Sequence, residues 1–390
     1  MSAVTATSTG RVAGVVNLTE LPAAVDDVLD GFFQATAPIL EAIYPTVGEA
    51  GDALRDFVMT GGKRVRPLFV FAGRQCAAAG PPLANGDKIT LIETPDELRE
   101  TLRVCAAIEL IQACALVHDD ILDRSDTRRQ NPTVHRRFEA VHADRGWASD
   151  SGHYGDSAAI LIGDMALAWA DDLFHGAMPT PDAVADPPHR PIPFAASAVW
   201  SRMRTEVLAG QFLDITNEVS GDESLTAAER VMAYKTAAYT VARPLELGAT
   251  LGGASPELCA ELHGIGIDLG IAFQLRDDLL GVFGDPAETG KPSGDDLIAG
   301  KRTALLAVAL DAASDADARL LRSSVGRPIS DAELAAARDV LIRSGAVAEI
   351  ERQIADRRDV GLARIDALDC PAAARADLTS MAHRVTSRNK

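Results

Sequence analysis

Leu116-Val117-His118-Asp119-Asp120-Ile121-Leu122-Asp123-Arg124-Ser125-Asp126-Thr127-Arg128-Arg129 closes a mostly apolar run that begins at Val104. Read as a helix, the run places Asp119 and Asp123 four residues apart, with both carboxylates on one face. Carboxylates that close repel each other unless a cation lies between them. An all-oxygen donor set favours a hard ion, Mg²⁺ above all, held by one or two carboxylates together with substrate phosphates. Arg128 and Arg129 follow within two turns and offer forked donors for the same phosphates. The stretch reads as a metal clamp for a polyphosphate. The spacing alone is weak, because Asp26-Asp27-Val28-Leu29-Asp30 repeats it without the arginine pair and reads as surface charge, as does Asp171-Asp172.

Outward from this clamp the pattern is helical. From about Leu21 onward Ala, Leu, Glu, Arg and Asp dominate, with apolar residues at three-four spacing. Lys88-Ile89-Thr90-Leu91-Ile92 is the one short strand candidate. The first 20 residues are Ser/Thr/Ala/Gly-rich and read as disordered. Pro/Gly-rich stretches near 80–98 and 178–193 read as insertions between helices, since helices of the same character resume after each. The expectation is one all-α domain over 21–390, a large helical bundle around a central cavity.

The 390 residues carry a net charge of −18, which argues against nucleic acid and anionic membrane surfaces as partners. Five scattered cysteines fit a reduced cytoplasm better than a disulfide framework. No signal pattern opens the chain, and no apolar run reaches the roughly 18 residues of a membrane span.

Further polar clusters punctuate the helices. Gly61-Gly62-Lys63-Arg64-Val65-Arg66-Pro67 joins a flexible turn to three cations, although it lacks P-loop spacing. Tyr234-Lys235-Thr236 and Gln211 are ambiguous alone. Phe273-Gln274-Leu275-Arg276-Asp277-Asp278 again brings an aspartate pair to the end of an apolar helix, and a Gly/Pro loop bearing Lys291 and Lys301 follows. Two acidic helix ends, each followed by cations, outline a cavity with a polyphosphate at its mouth and apolar walls below.

These motifs, in this order, resemble the trans-isoprenyl diphosphate synthases (polyprenyl synthetases), most of all the geranylgeranyl diphosphate synthases of actinobacterial type. The resemblance covers the chain from about residue 25 and rests on residues 61–67, 109–129, 235–236, 273–285 and 290–303. It implies the isoprenoid synthase type I fold, a homodimer, and condensation of isopentenyl diphosphate with an allylic diphosphate. It further implies that Asp119 and Asp123 hold two Mg²⁺ and Asp277 a third. Arg128, Lys235, Thr236, Gln274, Lys291 and Lys301 would line the allylic diphosphate. Lys63, Arg66 and Arg129 would bind isopentenyl diphosphate, with Gln112 where many relatives carry His. Asp119, Asp123, Asp277, Lys235 and Arg128 are the implied catalytic set.

Two departures stand out. The second motif usually ends in Asp where this chain has Gly281, and an aspartate there is expected to be tolerated. Arg-Arg-Gly has become Arg128-Arg129-Gln130, expected to be harmless. A class I terpene cyclase would leave Lys63 and Arg66 unexplained, and a di-metal bundle would need paired E-x-x-H sites where only Glu139–His142 fits. A non-catalytic synthase subunit stays open. For product length, Ala115, Ile111 and Ile108 lie below Asp119 at i−4, i−8 and i−11. Farnesyl-producing relatives carry bulky aromatics where this chain has Cys114 and Ala115. Ile111, about 12 Å from Asp119 along the axis, is then the first sizeable side chain on that face, and geranylgeranyl diphosphate (C20) is the expected product, with shorter or longer chains as alternatives.

Overall fold

The computed structural model describes residues 17–77, 83–85, 88–90, 94–177, 191–285 and 294–386. Among these residues lie sixteen α-helices, one π-helical segment and four short strands, as the helical periodicity requires. In chain order, α1 (Leu21–Ile43), α2 (Pro45–Met59) and α3 (Val65–Ala77) precede the strands β1 (Leu83–Asn85) and β2 (Lys88–Thr90). Next come α4 (Pro95–Leu122), β3 (Thr127–Arg128), β4 (Asn131–Pro132), α5 (Val134–Asp144), α6 (Ser151–His175), α7 (Phe194–Ser220) and α8 (Leu225–Val231). The π segment (Met232–Ala242) runs into α9 (Arg243–Leu251) and then α10 (Pro256–Phe283). The chain closes with α11 (Asp295–Ala299), α12 (Ala304–Ala312), α13 (Asp315–Ser323), α14 (Asp331–Arg343), α15 (Ala346–Asp366) and α16 (Ala372–Thr386). The strand candidate at Lys88 pairs antiparallel with β1, Asn85 opposite Lys88.

Two 28-residue helices, α4 and α10, are the pillars. At 1.5 Å per residue each spans about 42 Å. Thr94 starts α4 with a capping box, its hydroxyl accepting from Glu97 N at 3.3 Å while the Glu97 carboxylate accepts from Thr94 N at 3.0 Å. Ser255 caps α10 through Leu258 N at 3.2 Å. Each pillar has a proline in its first turn, where the missing N–H costs nothing. Helices α1, α3 and α6 pack on α4, whose interior from Val104 to Leu110 is fully enclosed. The π segment, α9 and α15 pack on α10. A second apolar cluster joins Leu275, Leu279 and Val282 of α10 to Leu305, Leu321, Val340 and Ile350 of the last helices. Phe174 stacks on Trp200 at 4.3 Å and fastens α6 to α7.

Both pillars also pass a length-and-composition test for a membrane span, contrary to the expectation drawn from their apolar runs. That of α4 is 72% buried inside the protein, as befits a core helix. Each pillar ends in its aspartate pair. A helix C-terminus already carries partial negative charge, so both ends demand nearby cations, and packing brings the two ends to one cavity.

Candidate active site

A cavity of about 240 Å³ opens between the C-terminal ends of α4 and α10. Its walls include Arg66, Asp119, Arg128, Lys235, Thr236, Gln274, Asp277 and Lys301, eight of the residues given roles from sequence. Leu116, Met232 and Phe273 supply apolar surface. Asp123 lies just beyond, its Oδ2 3.5 Å from Lys301 Nζ. Lys63 and Gln112 do not line this cavity, and Lys291 lies outside the described residues.

Lysines join the acidic ends. Lys235 Nζ donates to Asp119 Oδ1 at 3.1 Å and to Asp214 Oδ2 at 2.6 Å. Lys301 Nζ lies 3.5 Å from Asp123 and 3.6 Å from Asp296, linking the end of α4 to α11. Burial alone would lower the Lys301 ammonium, but Asp296, Asp123 and Asp119 outweigh it and hold it well above the ordinary lysine value. Burial likewise opposes the charged form of Asp119, yet Lys235, Lys301 and Arg128 hold that carboxyl at about 2. Asp123 is pushed up, by burial first and then by Asp119. Among the described residues no three His, Cys, Asp or Glu side chains form a ready-made metal cage. Mg²⁺ needs none, since phosphate oxygens and water complete its shell. The ionised, oxygen-only donors at Asp119 fit that ion.

Asp120, given no role from the sequence, has a different part. It is 1% exposed, and its Oδ1 accepts from Arg128 Nε at 2.7 Å. Arg128 Nη2 also reaches Asp119 Oδ2 at 3.4 Å. The middle aspartate thus aims the arginine. Arg128 reaches this place on a tight hairpin, Thr127 opposite Pro132 and Arg128 opposite Asn131. Its two loop residues, Arg129 and Gln130, both have positive φ, 52° and 65°. That is a type I′ arrangement, usually built from Asn-Gly, so the glycine-to-glutamine departure costs backbone strain. The turn sends Arg129 to the Thr60 and Gly61 carbonyls, 2.9 Å to the former. Burial, then Arg128, Arg64 and Arg66 nearby, lowers the Arg129 pKa, the mark of a local cationic pocket in an acidic chain.

The π segment carries four site residues. Lys235 and Thr236 face the acidic ends, while Tyr239 and Thr240 hold Arg66, whose guanidinium donates to Thr240 Oγ1 at 3.0 Å and to the Tyr239 hydroxyl, with its carbon 4.1 Å from the ring centre. Thr236 Oγ1 donates to Gln274 Oε1 at 2.7 Å, and Gln274 Nε2 donates to Asp278 Oδ1 at 2.8 Å. Gly210 of α7 lets the Lys235 backbone pass, since a Cβ there would lie 2.7 Å from Tyr234 C. That approach brings Asp214 to Lys235. Asp26 is more than surface charge: its carboxylate accepts from Arg64 Nε at 2.8 Å, while Arg64 Nη1 pairs with buried Glu109 at 2.7 Å. Asp171, also read as surface charge, accepts from Trp200 Nε1 at 2.9 Å.

The family model "Polyprenyl synthetase" matches residues 49–341. The chain belongs to that family. Among polyprenyl synthetases of solved structure it is similar to Corynebacterium glutamicum geranylgeranyl pyrophosphate synthase, complexed with isoprenyl diphosphate and magnesium, at 44% identity and TM-score 0.85, covering 96% of this chain and 100% of that one. The (2E,6E)-farnesyl diphosphate synthase of Mycobacterium tuberculosis is 32% identical over 335 residues, 84% of this chain and 80% of its own. The geranylgeranyl diphosphate synthase of the same organism is 33% identical over 258 residues, 65% of each chain. The chain is therefore a trans-prenyltransferase with the all-α isoprenoid synthase fold.

Proposed function

We propose that this polyprenyl synthetase condenses isopentenyl diphosphate with an allylic diphosphate, using Mg²⁺, to make geranylgeranyl diphosphate. The observation that carries the reading is that the acidic ends of α4 and α10 line one cavity, with Lys235 on Asp119 and Lys301 between Asp123 and Asp296. Asp119, Asp123 and Asp277 would hold magnesium, three ions in all, which would supply charge neutralisation for the departing diphosphate. Lys235, Lys301 and Arg128, now paired with carboxylates, would turn their donors to phosphate oxygens, Lys291 joining them. Thr236 and Gln274 add neutral donors, and charge that develops on the leaving group meets preorganised partners. The allylic C–O bond breaks, the double bond of isopentenyl diphosphate attacks the carbocation, and a proton leaves to a diphosphate oxygen. Leu116, Met232 and Phe273 keep water from the cation. No protein nucleophile is needed.

The second diphosphate falls to Lys63, Arg66 and Arg129, with Gln112 of α4 assigned to the same substrate by the family resemblance. Among the described residues the Arg66 guanidinium donates to neutral hydroxyls, those of Tyr239 and Thr240, which suits it to take an anion. Small side chains at Cys114 and Ala115 favour the C20 product, as does likeness to the Corynebacterium enzyme. Likeness to a farnesyl synthase supports a C15 alternative. Exposed Ile160 and Leu161 on α6, with Leu208 and Phe212 on α7, suit a homodimer contact, and five free cysteines accord with the cytoplasm.

Labelled isopentenyl diphosphate, given with dimethylallyl, geranyl or farnesyl diphosphate, tests the proposal. Mg²⁺-dependent C20 product is expected, and Ala115→Phe should shift it to C15 with activity kept. No product with any primer would overturn the reading. C20 product from Ala115→Phe would move the chain-length limit to another helix.

A further inference from the structure

The second acidic cluster lacks a carboxylate one turn beyond Asp277, at Gly281. The volume such a side chain would fill is already taken. A Cβ built on Gly281 would overlap Asp296 Oδ2 and lie 2.5 Å from Asp296 Cγ. Gly281 follows Asp277 by four residues, on the same face of α10. The geometry points to Asp296 as the carboxylate that completes this cluster, delivered from α11 instead of from α10. The inference rests on the reading of these helix ends as holding magnesium.

The delivery is well braced. Asp296 sits in the first turn of α11, where Gly294 enters with φ 81°. Its carbonyl accepts from Lys301 N at 3.0 Å, and the neighbouring Leu297 carbonyl accepts from Gly326 N at 2.9 Å. The residue is 9% exposed, so its carboxylate needs a counter-charge close by. Lys301, at 3.6 Å from Asp296 and 3.5 Å from Asp123, is shared between two acidic walls. Once Lys301 turns to a diphosphate, both carboxylates lose its charge, and a divalent cation is the partner that restores balance. Asp277, Asp278 and Asp296 then present the carboxylate count that a D-D-x-x-D helix would supply alone. The same crowding overturns the expectation that aspartate is tolerated at Gly281: its carboxylate would have to displace Asp296 and would add a like charge beside it.

The test measures Mg²⁺ affinity by calorimetry with inorganic pyrophosphate present, and melting temperature without metal. Asp296→Asn, which keeps the shape, should weaken Mg²⁺ by roughly tenfold or more, within the range seen for residues supporting a metal site. Gly281→Ala should do likewise by pushing the carboxylate aside, and its melting temperature without metal separates the packing cost of that shift from the loss of Mg²⁺ affinity. The exchange Gly281→Asp with Asp296→Gly should recover most of the affinity, and Gly281→Asp alone should not. Asp277→Ala is the control. If it weakens Mg²⁺ while Asp296→Asn does not, the inference falls and the metal reading stands. If neither changes Mg²⁺ binding, the metal reading itself fails. A loss in Asp296→Asn that the exchange cannot recover makes Asp296 a structural brace and overturns its assignment.

Discussion

Asp120→Ala separates aiming from metal holding. The change removes the carboxylate 2.7 Å from Arg128 Nε and leaves a guanidinium whose side chain is 17% exposed. Deleting one partner of a buried pair typically costs about 3–5 kcal/mol, because the other charge stays buried. Asp119 remains 3.4 Å from Arg128 and offsets part of that, so the lower end, about 3 kcal/mol, applies. At roughly 2 °C per kcal/mol for a chain of this size, the melting temperature should fall by about 6 °C. Kinetically, a misaimed Arg128 should raise KM for the allylic diphosphate about tenfold, equivalent to about 1.4 kcal/mol. The Mg²⁺ concentration for half-maximal rate should stay within about twofold, since Asp119 and Asp123, the carboxylates proposed to hold the metal, are untouched. Asp120→Asn keeps an acceptor for Arg128 Nε and should recover much of the loss. The assay is steady-state turnover across both substrates and Mg²⁺, beside thermal melts. A Mg²⁺ requirement shifted as strongly as in Asp119→Ala would make Asp120 a ligand and refute the reasoning.

Tyr239→Phe removes the hydroxyl that holds Arg66 but keeps the ring beneath it; KM for isopentenyl diphosphate should rise a few-fold, about 1 kcal/mol, with kcat near the parent value. Gln130→Gly relieves a left-handed backbone, and melts should show a gain of about 1 kcal/mol. Asp26→Ala loses a half-exposed partner of Arg64 and should cost about 1 kcal/mol of stability with turnover unchanged, because Glu109 still holds Arg64. Alkylation should favour Cys370, whose thiol is held below the ordinary value by neighbouring Cys76 and by Arg375. Cys114, pushed up to about 12 by burial and then by Asp164, should resist. Thiolate is the reactive form, so peptide mapping should show Cys370 labelled at a lower pH than Cys114, which stays unmodified at pH 8.

What sequence could disclose followed from how local each signal is. The pillars were legible because their apolar runs end in charged clusters, and Asp119 and Asp123 because i,i+4 spacing is fixed by the helix itself. Asp214 was not: it sits three residues past Gln211, and it gains meaning only where Gly210 lets the Lys235 backbone approach. Asp120 looked redundant beside Asp119 because its partner, Arg128, arrives by way of a hairpin with no Asn-Gly to announce it. Asp26 was misjudged for a related reason, as its partner Arg64 is far along the chain. Asp296 was visible in Gly294-Asp295-Asp296 yet unassigned, because its relation to Gly281 is purely tertiary. Tyr239 and Thr240 belong to a segment whose hydrogen-bond register no α-helical periodicity describes.

That register makes the enzyme sensitive to length in a way that side-chain replacement does not probe. The 11 residues of Met232–Ala242 are wound wider than an α-helix, and such widened turns recur at functional sites. Take out one residue near Ala237 and α-helical pitch can be restored with the apolar composition almost intact. Everything upstream would then be turned by about 100° relative to everything downstream. Lys235 would leave Asp119, or Tyr239 would leave Arg66, because one rod cannot satisfy both ends at the tighter pitch. The segment acts as a spacer that sets the angular phase between Lys235 on Asp119 and Tyr239 on Arg66, the two ends that the proposed function gives to different diphosphates.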